Sequence, residues 1–474
     1  MRFAIAAMMT LFLIGAIFAQ DATQPAAPET AADAGSLPTP ETPKSSFAFS
    51  GGVSLGSDVL LTGTDALGNS IPETWTRIDF MPDFAFGKIG VGLDLTLHFM
   101  LYPDPNTAFK PYAGDWVPGN GKSFFDIYLP KLLYIRYGLK GEDPFFAKLG
   151  SINDLSLGDG FIMSNYSNML FMPEQRIFGL DIGVDGSLFN FPYAGIEAVM
   201  GNLARFDVVG SRLYARPLVG TEIPILKNMQ VGATVVADTN PYLYADTTKT
   251  AFASASAVAA YGADIAVPIL GGKAFPLTAF TDLAFDPNES AGWMVGLAGR
   301  LITIFTYGAQ LRILQDGFIP SYFDADYDVY RAQKYDAMQL PHSSAVNPGW
   351  YASLGISLLT DKLVFTNSLD GPFKASGPGA TNPAQTDYPH LRSVLALGEL
   401  PGFPFFFDAS YEKYLLGAKD GFFPDLVDPT DAIIGLDVNY RTGASVLTLA
   451  YNAQWDPNTG KFNVTSSLQA SVRF

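Results

Sequence analysis

Residues 462–474 read FNVTSSLQASVRF. In an extended chain Phe462, Val464, Ser466, Leu468, Ala470, Val472 and Phe474 share one face, and Asn463, Thr465, Ser467, Gln469, Ser471 and Arg473 share the other. Period two with one apolar and one small-polar face is the signature of a strand exposed to two different surroundings. The same alternation recurs upstream. Ile89, Val91, Leu93, Leu95, Leu97 and Phe99 oppose Gly90, Gly92, Asp94, Thr96 and His98. Leu180, Ile182 and Val184 oppose Asp181 and Asp185, and Tyr261, Ala263 and Ile265 oppose Gly262 and Asp264. Phe305, Tyr307, Ala309, Leu311 and Ile313 oppose Thr306, Gly308, Gln310 and Arg312. Roughly 20 segments of this kind follow one another, separated by turn signals such as Asp286-Pro287-Asn288.

The polar faces decide which all-β architecture this is. A water-soluble sandwich turns its polar faces outward and clothes them in charge. Here those faces are mostly Gly, Ser, Thr, Asn, Gln and Asp, with little Lys. Charged residues are 16% of the chain, below the roughly 25% of soluble domains, while hydrophobic residues reach 48% and aromatics 14%. Inverted polarity accounts for this: lipid takes the apolar face, a lumen takes the small polar one, and closure leaves no unpaired edge in hydrocarbon. Trp75, Tyr128, Tyr134, Trp293, Trp350, Tyr411, Tyr440 and Tyr451 stand at expected strand ends, where interfacial girdles belong.

The N-terminus points to export. Arg2 precedes an apolar run from Ala4 to Phe18, and a polar stretch opens at Gln20, so residues 1–19 read as a cleaved signal peptide. Residues 20–45, rich in Pro, Ala and acid, read as a disordered tether. Residues 46–474 show no second composition break and read as one barrel domain. Of the chain's net charge of −17, the first 45 residues hold Arg2, Lys44, Asp21, Glu29, Asp33 and Glu41, which leaves −15 on the body. Acidity of this size argues against nucleic-acid binding. Cysteine is absent, which removes disulfides, thiolate catalysis and thiolate metal sites, and His98, His342 and His390 are the only histidines.

A dyad strand ending at Phe474, behind a signal peptide and a body without long helices, resembles the bacterial outer-membrane β-barrels of porin type. The resemblance spans residues 46–474. It implies a single transmembrane antiparallel β-barrel of about 18 strands, within a range of 14–20. It implies outer-membrane lipid around the barrel, and a barrel-assembly machinery that reads Leu468, Ala470, Val472 and Phe474. It implies no cofactor and no enzymatic activity, the exception in the class being an outer-membrane lipid hydrolase. Only a short polar tether precedes the barrel, unlike plugged transporters or barrel-assembly proteins. The expected function is passive diffusion of small hydrophilic solutes. One alternative is a structural or surface-interaction barrel with long loops at 101–124, 316–348 and 371–391. Another is a transporter of apolar substrates, suggested by the apolar cluster within 161–172.

The candidate functional residues lie on the polar face. Asp94, Asp181, Asp185, Asp264 and Asp282 have few evident counter-charges, chiefly Arg312 and Arg473, and so predict a lumen that prefers cations. Residues 150–175, GSINDLSLGDGFIMSNYSNMLFMPEQ, suit an infolded constriction loop carrying Asn165, Ser167 and Asn168, or equally two short strands joined by a turn. His98 shares its strand face with Asp94 and reads as a lumen or turn residue, since hydrolase chemistry needs an activated serine that no spacing identifies. His342 and His390 each follow a proline and read as loop residues. Asp324, Asp326 and Asp328 lack the pattern of a helical calcium loop and read as a solvated acidic loop.

Overall fold

A computed structural model describes residues 47–473 apart from 65–69, 105–106, 120–122, 172–175, 246–249, 272–274, 341–342, 344, 360–361, 376–386, 443–444 and 457–460. The signal-like stretch, the tether, His342, Phe474 and most of the expected 371–391 loop lie outside the described residues.

Period-two patterning does what elementary geometry asks of it. Among the described residues 22 strand segments join in one sheet, each pairing antiparallel with its neighbours. Ile89–Leu93 and Leu95–Asp104 are two halves of one strand broken at Asp94. Thr107–Pro111 and Leu132–Tyr137 share the far edge of that strand. Each of these two couples fills one place, so the wall has 20 places, at the upper end of the expected range. The last strand, Lys461–Arg473, pairs with Ser445–Asp456 on one side and with the first, Phe47–Thr64, on the other. Contacts Gly52↔Arg473 and Leu55↔Ala470 close the barrel and leave no edge between first and last strands.

Burial follows the alternation and inverts the usual sense. Val231 and Val235 are exposed on the outer wall, whereas Val236 is fully buried inside. Tyr261 and Ile265 point out while Val258, Ala260 and Asp264 point in. Trp293, Val295 and Leu297 are out and Met294 is in, and Leu311 on the next strand leaves 55% of its surface uncovered. A contiguous apolar exterior of this kind is an aggregation surface in water and a fitting one in hydrocarbon. No helix among the described residues is long and apolar enough to cross a membrane; the strands are the spanning elements.

Outward aromatics near the short turns include Phe86, Phe305, Phe405 and Tyr440, and Phe405 packs on Tyr440 at 5.0 Å between ring centroids. Trp75 and Tyr411 depart from the girdle expectation. Both are buried on the inner face, Trp75 against Tyr112 at 5.2 Å. Strand-end position sets height in the wall, but only the parity of the strand sets the side. Short turns gather at one end of the barrel, together with the start of the first strand and the end of the last. Longer connections, including 112–131, 151–178 and 316–345, leave the opposite end, which in outer-membrane barrels is the extracellular one.

Candidate functional site

Two of the long connections turn back into the barrel. Residues 151–171 form an irregular infolded segment and not a pair of strands; one isolated bridge, Leu155↔Tyr166, holds its two limbs together. Asn168 is its staple. The side chain is 1% exposed; its amide oxygen accepts from the Ile152 N–H at 2.8 Å and its NH2 donates to the carbonyls of Gly201 at 2.9 Å and of Gly150 and Ile177 at 3.3 Å. A buried amide that meets four backbone groups is a structural device, because each of those groups would otherwise be stranded. Asn165 adopts a positive φ of 54°, and its N–H donates to Ser156 Oγ at 2.9 Å. Ser167 Oγ accepts from the Met169 N–H. All three candidate constriction residues sit in the infolded segment, with Asn168 packed away from the passage.

The second infolded segment spans 316–340 and corrects the reading of the acidic tract. Asp326 stands at the N-cap and Asp328 in the first turn of a helix, Tyr327–Met338, inside the lumen, and Asp324 just before it is bound to Lys334. Tyr327, Arg331, Tyr335 and Met338 fall on one helical face and are buried. The tract's acids conceal this stripe in the sequence. Arg331 is 1% exposed and binds Asp238 through Nη2 at 2.5 Å and Nε at 3.0 Å, and Asp207 through Nη1 at 2.7 Å. Tyr327 donates to Asp238 at 2.7 Å, and Tyr166 from the first segment donates to Asp328 at 3.2 Å. The two segments also share backbone hydrogen bonds: Ser164 N–H to Phe323 O at 3.0 Å, Phe323 N–H to Ile162 O at 3.1 Å, and Ser321 N–H to Phe161 O at 2.8 Å. Phe161, Ile162, Met163, Phe318 and Phe323 pack with inward wall residues such as Val236, Phe280 and Met294. One side of the lumen is therefore a packed core.

The wall aspartates acquire partners that the sequence reading did not identify. Asp94 pairs with Arg176. Asp181 meets Lys140 at 3.0 Å, Asp185 meets Arg216 at 2.6 Å, and Asp264 meets Arg212 at 2.5 Å. Arg312 meets Asp370 at 3.3 Å. The expected scarcity of counter-charge does not hold for these four aspartates; Asp282 alone of the five expected wall aspartates has no ion pair among the described residues. Period two places Arg212 on the inward face with Gly210 and Tyr214, so that signal was present; Arg176 and Lys140 arrive from connections, where periodicity is silent. Gly232 makes the Arg212–Asp264 pair possible. A Cβ there would lie 2.3 Å from Asp264 Oδ2 and 2.8 Å from the guanidinium.

On the other side of the lumen, His390 is the first residue of strand His390–Leu397, not a loop residue. Register places Asp370 opposite His390, and Arg392 opposite Glu412. His390 Nδ1 lies 3.2 Å from Asp370 Oδ1 and Nε2 lies 2.9 Å from Glu412 Oε1, while its ring stacks on Tyr414 at 4.4 Å. Tyr414 donates to Glu412 at 2.8 Å, and Arg312 lies over the Tyr351 ring at 4.7 Å. Asp324 and Asp326 approach this row from the lumenal helix, with Lys334 bound to Asp324 at 2.5 Å. The row brings both signs of charge to the inner wall beside the packed core. Below it, Ser393 donates to Asn367 and Thr448 to Asn439, each at 2.6 Å, giving a wall of small hydroxyls and amides. His98 is a structural residue: its backbone N–H and its ring Nδ1, at 3.0 Å, both meet Asp115 and hold the Ala113–Asp115 turn over its strand.

No protein-family model matches the chain, and no curated protein matches it. Several solved structures align with most of the chain at low identity. A BenF-like porin from Pseudomonas fluorescens Pf-5 has 11% identity and a TM-score of 0.35, over 91% of this chain and 99% of that one. OccAB2 of Acinetobacter baumannii has 12% identity and a TM-score of 0.35, over 90% and 98%. Wzi of Escherichia coli, described as a carbohydrate-binding β-barrel involved in group 1 capsule assembly, has 9% identity and a TM-score of 0.32, over 91% and 84%. Likeness at this level carries neither residue roles nor a solute, and the chemistry of this lumen rests on its own residues.

Proposed function

We propose that the chain is an outer-membrane channel for passive diffusion of small hydrophilic solutes, along the side of the lumen that the infolded segments leave polar. The observation that carries this reading is the division of the interior. Packed aromatics and the Arg331 network fill one side, while the strands from Leu363–Pro372 to Ser445–Asp456 carry half-buried Asn367 and Thr448 on their inner face, bonded to the buried Ser393 and Asn439. The apolar exterior and the signal-like N-terminus support an outer-membrane address. Cation preference remains part of the proposal but shifts in origin. With Asp94, Asp181, Asp185 and Asp264 paired, it rests on the acidic groups around the passage and on the chain's net charge of −17. Phe161, Ile162 and Met163 are consumed in the core, which leaves Met169, Leu170 and Phe171, half-buried, as the motive for an apolar-substrate path. The filled side of the lumen favours the structural-barrel alternative as the second reading. Liposome swelling separates them: proteoliposomes should swell in isotonic pentose or glycine faster than protein-free liposomes. Swelling no faster than the blank, from barrels shown folded by heat-modifiable mobility, would select the structural reading.

A further inference from the structure

The infolded loop 151–171 meets the wall at a place where charge is badly matched. Asp264 and Asp282 are directly opposite each other on neighbouring strands, 3% and 7% exposed on the inner face. Like charges so placed repel. Asp159, on the loop, adds a third carboxyl to the same spot; burial, with the charge of Asp264, pushes it up to about 7. One guanidinium serves the group. Arg212 holds Asp264 through two nitrogens, at 2.5 and 3.1 Å, and lies 3.6 Å from Glu197. Asp159 Oδ2 and Asp282 Oδ2 are buried and find no hydrogen-bond partner among the described residues. Between loop and wall lies a cavity of about 10 Å³, lined by Leu157, Phe161 and Ile162 from the loop and by Thr234, Asp264 and Asp282 from the wall. That is room for about one water molecule. Among the described residues no group of three or more ligands is arranged to hold a metal. Protons are the compensation that fits.

We propose that Asp159 is a proton-operated latch: neutral, it lets loop 151–171 seat on the wall, and ionised, it is driven off by Asp264. The charged and titratable groups around it are Asp264, Asp282 and Arg212; the one base already engages Asp264 through two nitrogens, so ionisation adds net repulsion. The sign follows from linkage. The carboxyl is raised in the seated state and ordinary in the released one, so seating is fully favoured below about pH 4 and weakens by up to tenfold per unit until about pH 7, beyond which it is constant. The inference concerns the loop alone and does not require that the lumen conduct.

Hydrogen exchange on the full chain in detergent micelles tests it. Wild type is compared with Asp159→Asn at each pH, so that the intrinsic chemistry of exchange cancels. Between about pH 5 and about pH 7.5, amide exchange across 155–165 in wild type should gain at least tenfold on the variant. Asp159→Ala, which removes the carboxyl altogether, should stay as flat with pH as Asp159→Asn and serves if the first variant does not fold. A wild-type-to-variant ratio that stays constant with pH, or an undiminished gain in both variants, overturns the latch. So does loop protection that follows Ca²⁺ against EDTA and is indifferent to pH, which would put a metal in the cavity.

Discussion

Arg331 shows how much a single side chain can hold in this lumen. Its guanidinium and both principal partners, Asp207 and Asp238, are at most 2% exposed. Removing one member of such a buried network leaves the others charged and unpaired, at a cost of about 3–5 kcal/mol. Arg331→Met should therefore lower the temperature at which the folded band converts in gels, and should open the helix Tyr327–Met338 to proteolysis. Arg331→Lys should rescue little, since one ammonium cannot span two nitrogens on Asp238 and a third on Asp207. A conversion temperature equal to wild type in both variants would mean that the network does not hold the segment. Gly232→Ala probes the wall. The added methyl collides with the Arg212–Asp264 pair and should cost about 1–3 kcal/mol in urea unfolding from micelles. An unchanged midpoint would count against that close approach. At this scale the sequence was half legible. Parity puts Asp264 and Arg212 on one inward face, but which cation reaches which aspartate depends on strand register and on connections that fold back.

Strands and connections differ in how far their sequence speaks for them. A strand declares itself because its two faces meet two solvents, and the alternation of Phe305–Gln315 or Val258–Leu270 leaves one side possible for each residue. The infolded segments obey no such rule. Residues 151–171 are tied in by Asn168 and by backbone bonds to 321–323, contacts between stretches far apart in sequence that no local period encodes. The lumenal helix is hidden for another reason: Asp324, Asp326 and Asp328 give it the look of a solvated loop, while Tyr166, the hydrogen-bond donor to Asp328, lies on another element. The closing strand carries the assembly proposal. Ala470 and Val472 pair within the seam, Leu468 pairs with Leu449 of the preceding strand, and Phe474 comes next in the sequence after Arg473. Deleting Phe474 should reduce the yield of heat-modifiable barrel far more than deleting residues 25–35, which only shortens the tether. Equal yields would detach assembly from the terminal aromatic.

For the whole molecule, polarity inversion settles the architecture and leaves the passage to side chains. An exterior carrying Leu311, Trp293 and Val235 and an interior carrying Asp264, Arg331 and Asn439 make a barrel for hydrocarbon. The polar side of its lumen bears charges of both signs, Arg312 and His390 beside Asp370 and Glu412. Selectivity should therefore be modest: in a KCl gradient the reversal potential should favour K⁺ slightly. It should fade as the Debye length falls from about 10 Å at 0.1 M to about 3 Å at 1 M. An anion preference would show that the basic members of that row dominate. The central claim is that solutes pass beside the packed segments, and single-channel recording of the refolded full chain in a planar bilayer tests it most directly. The account predicts discrete ohmic steps that grow when Tyr327–Met338 is replaced by a Gly/Ser linker. A folded, inserted barrel that passes no current in either form would contradict it.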